Sequence, residues 1–274
     1  MEQHFNTPSE VIDTNMKAGE GKAHLPLGKM ILLGIMAGAF IALGGATSST
    51  AAHAIDNVGL ARFVAGIIFP VGLMIIVFVG GELFTGNCLI VMDVVGKKVT
   101  WFECIRNLIV VYFSNLIGAL IIDTLIYFSG NLDYTGGLLG AYAIKVAVGK
   151  VGISPLKGIT SGILCNILVC IAILMAVAAT DIVGKVWAIF FPIMAFVVGG
   201  FEHCVANMFY IPVGMMAAQN PVYVAKAQEA YGLTAEQIQG LTILHSLNNF
   251  IPVTIGNILG LSLIHISEPT RLDV

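Results

Sequence analysis

Glu82, Asp123, Glu202 and His203 lie inside long apolar stretches, where ionisable side chains are rare. Such a group at the centre of a membrane helix costs roughly 2.5–3.5 kcal/mol on insertion scales. Each therefore needs a partner or a task. His203 has the most chemistry available, because an imidazole donates a hydrogen bond when neutral and exchanges a proton near pH about 6.5. It sits in Gly199-Gly200-Phe201-Glu202-His203-Cys204-Val205-Ala206-Asn207. A related stretch, Gly80-Gly81-Glu82-Leu83-Phe84-Thr85-Gly86-Asn87, offers the Thr85 hydroxyl. Glu82 and Glu202 can accept the N–H groups freed where a helix restarts, and are read as structural pins beside Gly80 and Gly199. Leu83, Phe84 and Phe196 could form apolar constrictions, although ordinary packing accounts for them as well. A lone apolar-face histidine is also commonly a satisfied core residue. Asp123 and Asn166 fit interhelical hydrogen bonds, and Asn166 could instead orient a polar group. Lys150, in a glycine-rich loop with Lys145 and Lys157, would draw anions if it stood at a pore mouth and would otherwise be solvated.

The elements that must hold these residues are apolar blocks. Apolar residues make up 57% of the 274 positions and charged residues 11%, with a mean hydropathy of +0.92. Soluble domains carry about 25% charged residues, and a bilayer span needs about 20 apolar residues. Six apolar regions follow, near residues 29–52, 62–95, 104–128, 157–179, 185–218 and 241–261. The second and fifth are too long for one helix and contain the two glycine stretches. Gly80 and Gly199 are 119 apart, and Asn87 and Asn207 are 120 apart. The pattern predicts an all-α integral membrane protein of six spans, built from inverted three-span repeats with one broken helix in each. Broken helices in matching positions point to a transport site, because irregular backbone at membrane depth must line protein or a watery cavity. Two simple glycine kinks are the plainer alternative.

Residues 1–28 are polar. Thr7-Pro8-Ser9-Glu10 reads as the N-terminus of a short helix whose Val11, Ile12 and Met16 could lie against the membrane, with a solvated tail as the alternative. No cleavable signal peptide is expected. Residues 220–240 predict a further short surface helix. The pore domain spans 29–261, and 262–274 reads as a non-native tail, having no counterpart in the repeat. Gly34/Gly38, Gly158/Gly162 and Gly256/Gly260 suit close helix packing within or between subunits. Cys88, Cys104, Cys165, Cys170 and Cys204 have no metal-ligand spacing and read as reduced, buried thiols. No metal, cofactor or nucleophile–base set is expected, so an enzyme is disfavoured, and a net charge of −3 gives no reason to expect a nucleic acid partner. Lys and Arg are distributed seven against five between the two sides, which favours cytoplasmic termini in a cell's inner membrane.

Several blocks resemble the formate/nitrite transporter family: residues 78–86, residues 162–172, residues 200–208 and residues 249–257. The similarity covers about residues 5–260 and looks closest to the clostridial hydrosulfide channel branch. The resemblance implies an aquaporin-like fold, a homopentamer with one pore per protomer, and passage of small monovalent anions such as formate, nitrite or hydrosulfide. In that pattern His203 is the central pore histidine and Thr85 its partner. Lys150 is the vestibule lysine, Asn166 the nearby asparagine, and Leu83, Phe196 and Leu73 mark constrictions. Proton-coupled transport and an aquaporin-like neutral-solute channel are the alternatives. The second lacks its usual support, since the chain carries only Asn220-Pro221-Val222, outside the breaks.

Overall fold

A computed structural model describes residues 5–265. The suggested tail at 262–274 falls mostly outside the described residues. Among the described residues the chain is helical throughout, apart from one bridge pairing Phe5 with Ala179. The helix α1 (Pro8–Ala23) starts at a complete capping box, in which Thr7 and Glu10 satisfy each other's backbone N–H groups. Then come α2 (Leu27–Ala52), α3 (Val58–Ile68), α4 (Val71–Val79), α5 (Phe84–Asn87), a 3₁₀ turn, α6 (Val91–Val95) and α7 (Trp101–Phe128). The second half contains α8 (Tyr134–Val151), α9 (Pro155–Ala178), α10 (Ile182–Gly199), α11 (Cys204–Ala217), α12 (Pro221–Tyr231), α13 (Ala235–Gln239) and α14 (Ile243–His265).

Five helical units are long and apolar enough to cross a bilayer: 27–52, 58–79, 101–128, 155–178 and 182–199. The 23-residue α14, packed along α9, completes a set of six long helical units. The expected order of six spans with breaks in the second and fifth is therefore present, and the short helix expected within 220–240 is α12.

Two readings change. The glycine-rich segment before the fourth span is not a loop but α8, which carries Lys145 and Lys150. It opens through three positive-φ residues, Thr135 (φ 56), Gly136 (φ 61) and Gly137 (φ 85). Its glycines admit neighbours: Gly140 lies flat against the Tyr223 ring of α12. The helix α1 is also more than a membrane-surface helix. Val11, Asn15, Gly19 and Ala23 are buried against protein, and Asn6 ties its start to the end of α9 through Val177 and Ala178 carbonyls at 2.7 and 2.8 Å.

Each half is built on one tight helix pair. At Gly118 of α7 an added Cβ would run into the Ile35 carbonyl of α2, and at Gly256 of α14 it would meet the Ile159 carbonyl of α9. Gly34 and Gly38 face Ser114 and Asn115, while Gly158 and Gly162 face Pro252 and Val253. The Gly-x-x-x-Gly steps thus pack helices within the subunit. Overpacking such a contact costs about 1–3 kcal/mol. Gly256→Leu is expected to lower the thermal midpoint of the detergent-solubilised protein sharply. Gly149→Ala, where a methyl meets no atom within 4 Å, should leave it unchanged or slightly raised.

Candidate functional site

The two breaks are the same structure made twice. At Gly80 the backbone turns through φ 102 and at Gly200 through φ 69, both in the region that favours glycine. Gly200, not Gly199, is therefore the counterpart of Gly80. Helix α5 restarts at Phe84 and α11 at Cys204. Their first N–H groups do not point at the glutamates, as expected, but at side-chain amides from the third span of each half. Phe84 N donates to Asn115 Oδ1 at 2.9 Å, and Cys204 N donates to Asn257 Oδ1 at 2.8 Å. The Asn115 amide donates to the carbonyls of Gly34 and Glu82, both at 2.8 Å. The Asn257 amide likewise donates to Gly162 at 2.8 Å and Glu202 at 3.0 Å. One amide per break thus serves one donor and two acceptors.

The glutamates are pinned instead through asparagines five residues on. Asn87 Nδ2 donates to Glu82 Oε2 at 2.6 Å and to Asn107 Oδ1 at 2.8 Å. Asn207 Nδ2 donates to Glu202 Oε2 at 2.7 Å and to Asn249 Oδ1 at 2.7 Å. A lysine completes each cluster. Lys150 donates to both Glu202 oxygens at 3.1 Å, and its ammonium lies 5.2 Å from the Tyr210 ring centroid. Lys22, from α1, donates to Asn87 Oδ1 at 2.8 Å and stands 3.6 Å from Glu82. The second amides close the circle, with Asn107 donating to the Lys22 carbonyl and Asn249 to the Lys150 carbonyl, both at 3.0 Å. Sequence reasoning left Lys22, Asn107 and Asn115 unassigned. The signal was available: Lys22 stands twelve residues before Gly34 as Lys150 does before Gly162, and Asn107/Asn115 repeat the spacing of Asn249/Asn257. Helices α1 and α8 are thus counterparts, each leading a half.

Between the clusters, one bond joins the breaks. His203 Nε2 and Thr85 Oγ1 are 2.9 Å apart, with Thr85 0% and His203 3% exposed. His203 also caps α11, its Nδ1 accepting from Ala206 N at 3.0 Å. A ring nitrogen that accepts an N–H carries no proton of its own, so Nε2 holds the proton and donates to Thr85. Thr85 then keeps its own O–H available. The Phe196 ring stacks on His203 at 5.8 Å and 19°, and the Phe69 edge meets Phe196 at 5.5 Å. Phe69 joins the expected apolar residues.

Above them opens a cavity of about 610 Å³, lined by Lys150, Phe196, Glu202 and His203 among others. Leu73, Leu83 and Phe84 are buried at 3% exposure each but are not part of its lining. Phe84 instead packs edge-on against Tyr112 at 5.0 Å. Asn166 joins α9 to α14, donating to the Asn257 carbonyl at 2.5 Å, and stays outside the cavity. Asp123 is fully buried, with neither carboxylate oxygen bonded to a described residue, so the expected interhelical hydrogen bond is absent there.

Removing a peg strands buried backbone groups at a cost of about 1–3 kcal/mol per unsatisfied group. Asn115→Ala and Asn257→Ala are each expected to destabilise the protein by several kcal/mol, read as lost monodisperse material on gel filtration. Asn166→Ala, which removes one donor, should be milder.

The sequence profile of the formate/nitrite transporter family matches residues 9–266. A probable formate transporter of Methanothermobacter thermautotrophicus is 36% identical, over 95% of this chain and 94% of its own length. The formate channel FocA of Escherichia coli (strain K12) is 34% identical over 92% of this chain and 89% of its own. Among solved structures, a pentameric formate channel with formate bound superposes with a TM-score of 0.76 at 32% identity, covering 87% of this chain and 94% of that one. The paired breaks, the matches over most of the chain and the shared fold agree: this multi-pass membrane protein belongs to the formate/nitrite transporter family.

Proposed function

We propose that the chain forms a pore for small monovalent anions of weak acids, with formate as the principal candidate and hydrosulfide, suggested by the sequence resemblance, as the second. The observation that carries this reading is the mirrored pair of Lys–Glu–Asn clusters on either side of a single Thr85–His203 hydrogen bond. Lys150 and Lys22 neutralise Glu202 and Glu82, so that neither carboxylate repels an approaching anion. A bare anion pays heavily for desolvation at the Phe69–Phe196 rings, and the Thr85 hydroxyl and the His203 Nε2–H offset part of that cost as donors. The Ala206 N–H at Nδ1 supports hydrogen bonding over proton exchange as the role of His203. An imidazole that gave up its Nε2 proton would become an anion, and a proton on Nδ1 would face another N–H.

The same reading makes the assembly a homopentamer with one pore per protomer, in line with the solved relative described as pentameric. It places both termini in the cytoplasm and the protein in the inner membrane. Residues 29–261 form the pore, and Leu73, Leu83, Phe84, Phe196 and Asn166 shape or support its narrow part. Native mass spectrometry in mild detergent should give mainly pentamers; mainly monomers or trimers would exclude that assembly.

Flux into proteoliposomes tests the mechanism. His203→Phe should lower formate uptake at least about a hundredfold with the oligomer intact, because the donor is replaced by an apolar ring. His203→Gln, which keeps an N–H donor, should retain a substantial part. Wild-type flux in folded His203→Phe would sink the proposed role. Comparing formate and hydrosulfide in the same vesicles ranks the two substrates, and a flux that follows an imposed proton gradient would favour coupled transport. Lys150→Gln should reduce uptake about tenfold at low ionic strength and much less at about 1 M salt, where the Debye length is roughly 3 Å. Equal flux at low salt would leave Lys150 a structural residue.

A further inference from the structure

The cavity above His203 is larger than a formate-sized anion requires, and it holds two cations that the permeation path does not use. Arg62 and Lys145 both line it. Among the described residues the ion pairs are Lys22–Glu82, His24–Glu103 and Lys150–Glu202. Neither Arg62 nor Lys145 therefore has a carboxylate of a described residue within 4 Å, whereas Lys150 is neutralised by Glu202.

Both are nonetheless held in place. Arg62, at the start of α3, donates through Nη1 to the Val198 carbonyl at 3.3 Å. Its guanidinium lies across Gly200, where any Cβ would overlap it. Lys145 rests its ammonium 4.4 Å from the Tyr231 ring centroid and 5.8 Å from that of Tyr142. Aromatic faces position a cation without cancelling its charge. Tyr142, beside Lys145, lines the same cavity as Arg62. Two cations without a carboxylate partner among the described residues thus line one cavity.

A purely structural role for Arg62 does not fit the repeat. Its counterpart, by the 120-residue offset that relates Glu82 to Glu202, is Ile182. At Gly80, the matching turn, no atom lies within 4 Å of where a Cβ would be. The first break stands without any such prop, so the cation at the second is an addition to the shared architecture.

We infer that Arg62 and Lys145 form an outer anion site that holds a small dicarboxylate dianion across the vestibule. The inference rests on the proposed anion path only for its effect on flux. The guanidinium fork suits one carboxylate by paired N–H donors, and the Lys145 ammonium takes the other. The Phe69–Phe196 rings below bar a doubly charged ligand, whose desolvation costs more than that of a monoanion. The dianion therefore plugs the vestibule and competes with the permeant anion for entry. Asp56 also lines the cavity and opposes binding by like-charge repulsion.

Calorimetric titration of the purified, detergent-solubilised protein with succinate is the direct test. Succinate should bind with a Kd of about 1 mM or tighter and acetate at least tenfold more weakly. Arg62→Gln and Lys145→Gln should each weaken succinate at least tenfold, and Asp56→Asn should tighten it. In proteoliposomes, external succinate should inhibit formate uptake by the wild type and lose that effect in both Gln variants, whose uninhibited flux stays within about threefold of wild type. Unaltered gel-filtration profiles establish that the variants fold. No binding of succinate to the wild type, or equal binding to the Arg62→Gln/Lys145→Gln protein, overturns the site. Binding with the expected variant pattern but no formate flux would leave the site standing and remove the transport reading instead.

Discussion

Two helices of this protein stop and restart among apolar neighbours, and the peptide groups at those stops have no water to turn to. Each unsatisfied group at such a place costs several kcal/mol. A single asparagine amide answers at each break, with Asn115 and Asn257 each accepting one N–H and donating to two carbonyls. An amide side chain is short, so it reaches those groups only if α7 lies against α2, and α14 against α9, at glycine distance. The small residues at Gly34, Gly118, Gly162 and Gly256 follow from that requirement. The restarted helices in turn set Thr85 and His203 facing each other, 2.9 Å apart.

Most of this frame was visible in the sequence. Long apolar blocks, matched Gly-Gly-Glu-to-Asn stretches and the Thr7–Glu10 cap are strong local signals, and the helices that they predict are present. The helix α8 was hidden because glycine-rich sequence has weak helical propensity. What makes it a helix is tertiary: α11 and α12 press against it, with Tyr223 seated on Gly140. Lys22 was hidden because α1 is polar and carries no hydrophobic signal of membrane depth. Only the spacing shared with Lys150 betrays its partners. The pinning of the glutamates was misassigned because the type of a residue says what it can accept, not which donor comes nearest. Backbone N–H groups and side-chain amides compete for the same acceptor, and the amides of Asn87 and Asn207 are in reach.

The repeats also differ, and the differences are chemical. In the first half α6 seats α1 on Asp93, whose carboxylate is fully buried, meets Gly19 and has no hydrogen-bond partner among the described residues. The second half has Val213 at the matching position, with its neighbour Gly214 set against Ala143 and Ala147 of α8. A buried, unpartnered carboxyl group weakens a contact that the apolar version strengthens. The seat of α1 is thus the looser of two otherwise parallel joints, while α8 is locked by small apolar residues and by the Tyr223 hydroxyl on Asp133.

The partners of each break come from its own half. Lys22, Gly34, Asn107 and Asn115 serve the first, and Lys150, Gly162, Asn249 and Asn257 the second. Contacts between halves, such as α11 against α2 and α7, join apolar helices, with Thr85–His203, Asn6 on the end of α9 and Arg62 on Val198 as polar links. This division bears on biosynthesis. As the chain leaves the ribosome, the first broken helix waits only for the segment ending at Asn115, some thirty residues behind it, before its exposed peptide groups are closed. The nascent first half can therefore close its own break in the bilayer while the second is still being made, and the start of α1 then docks on α9 as the halves join.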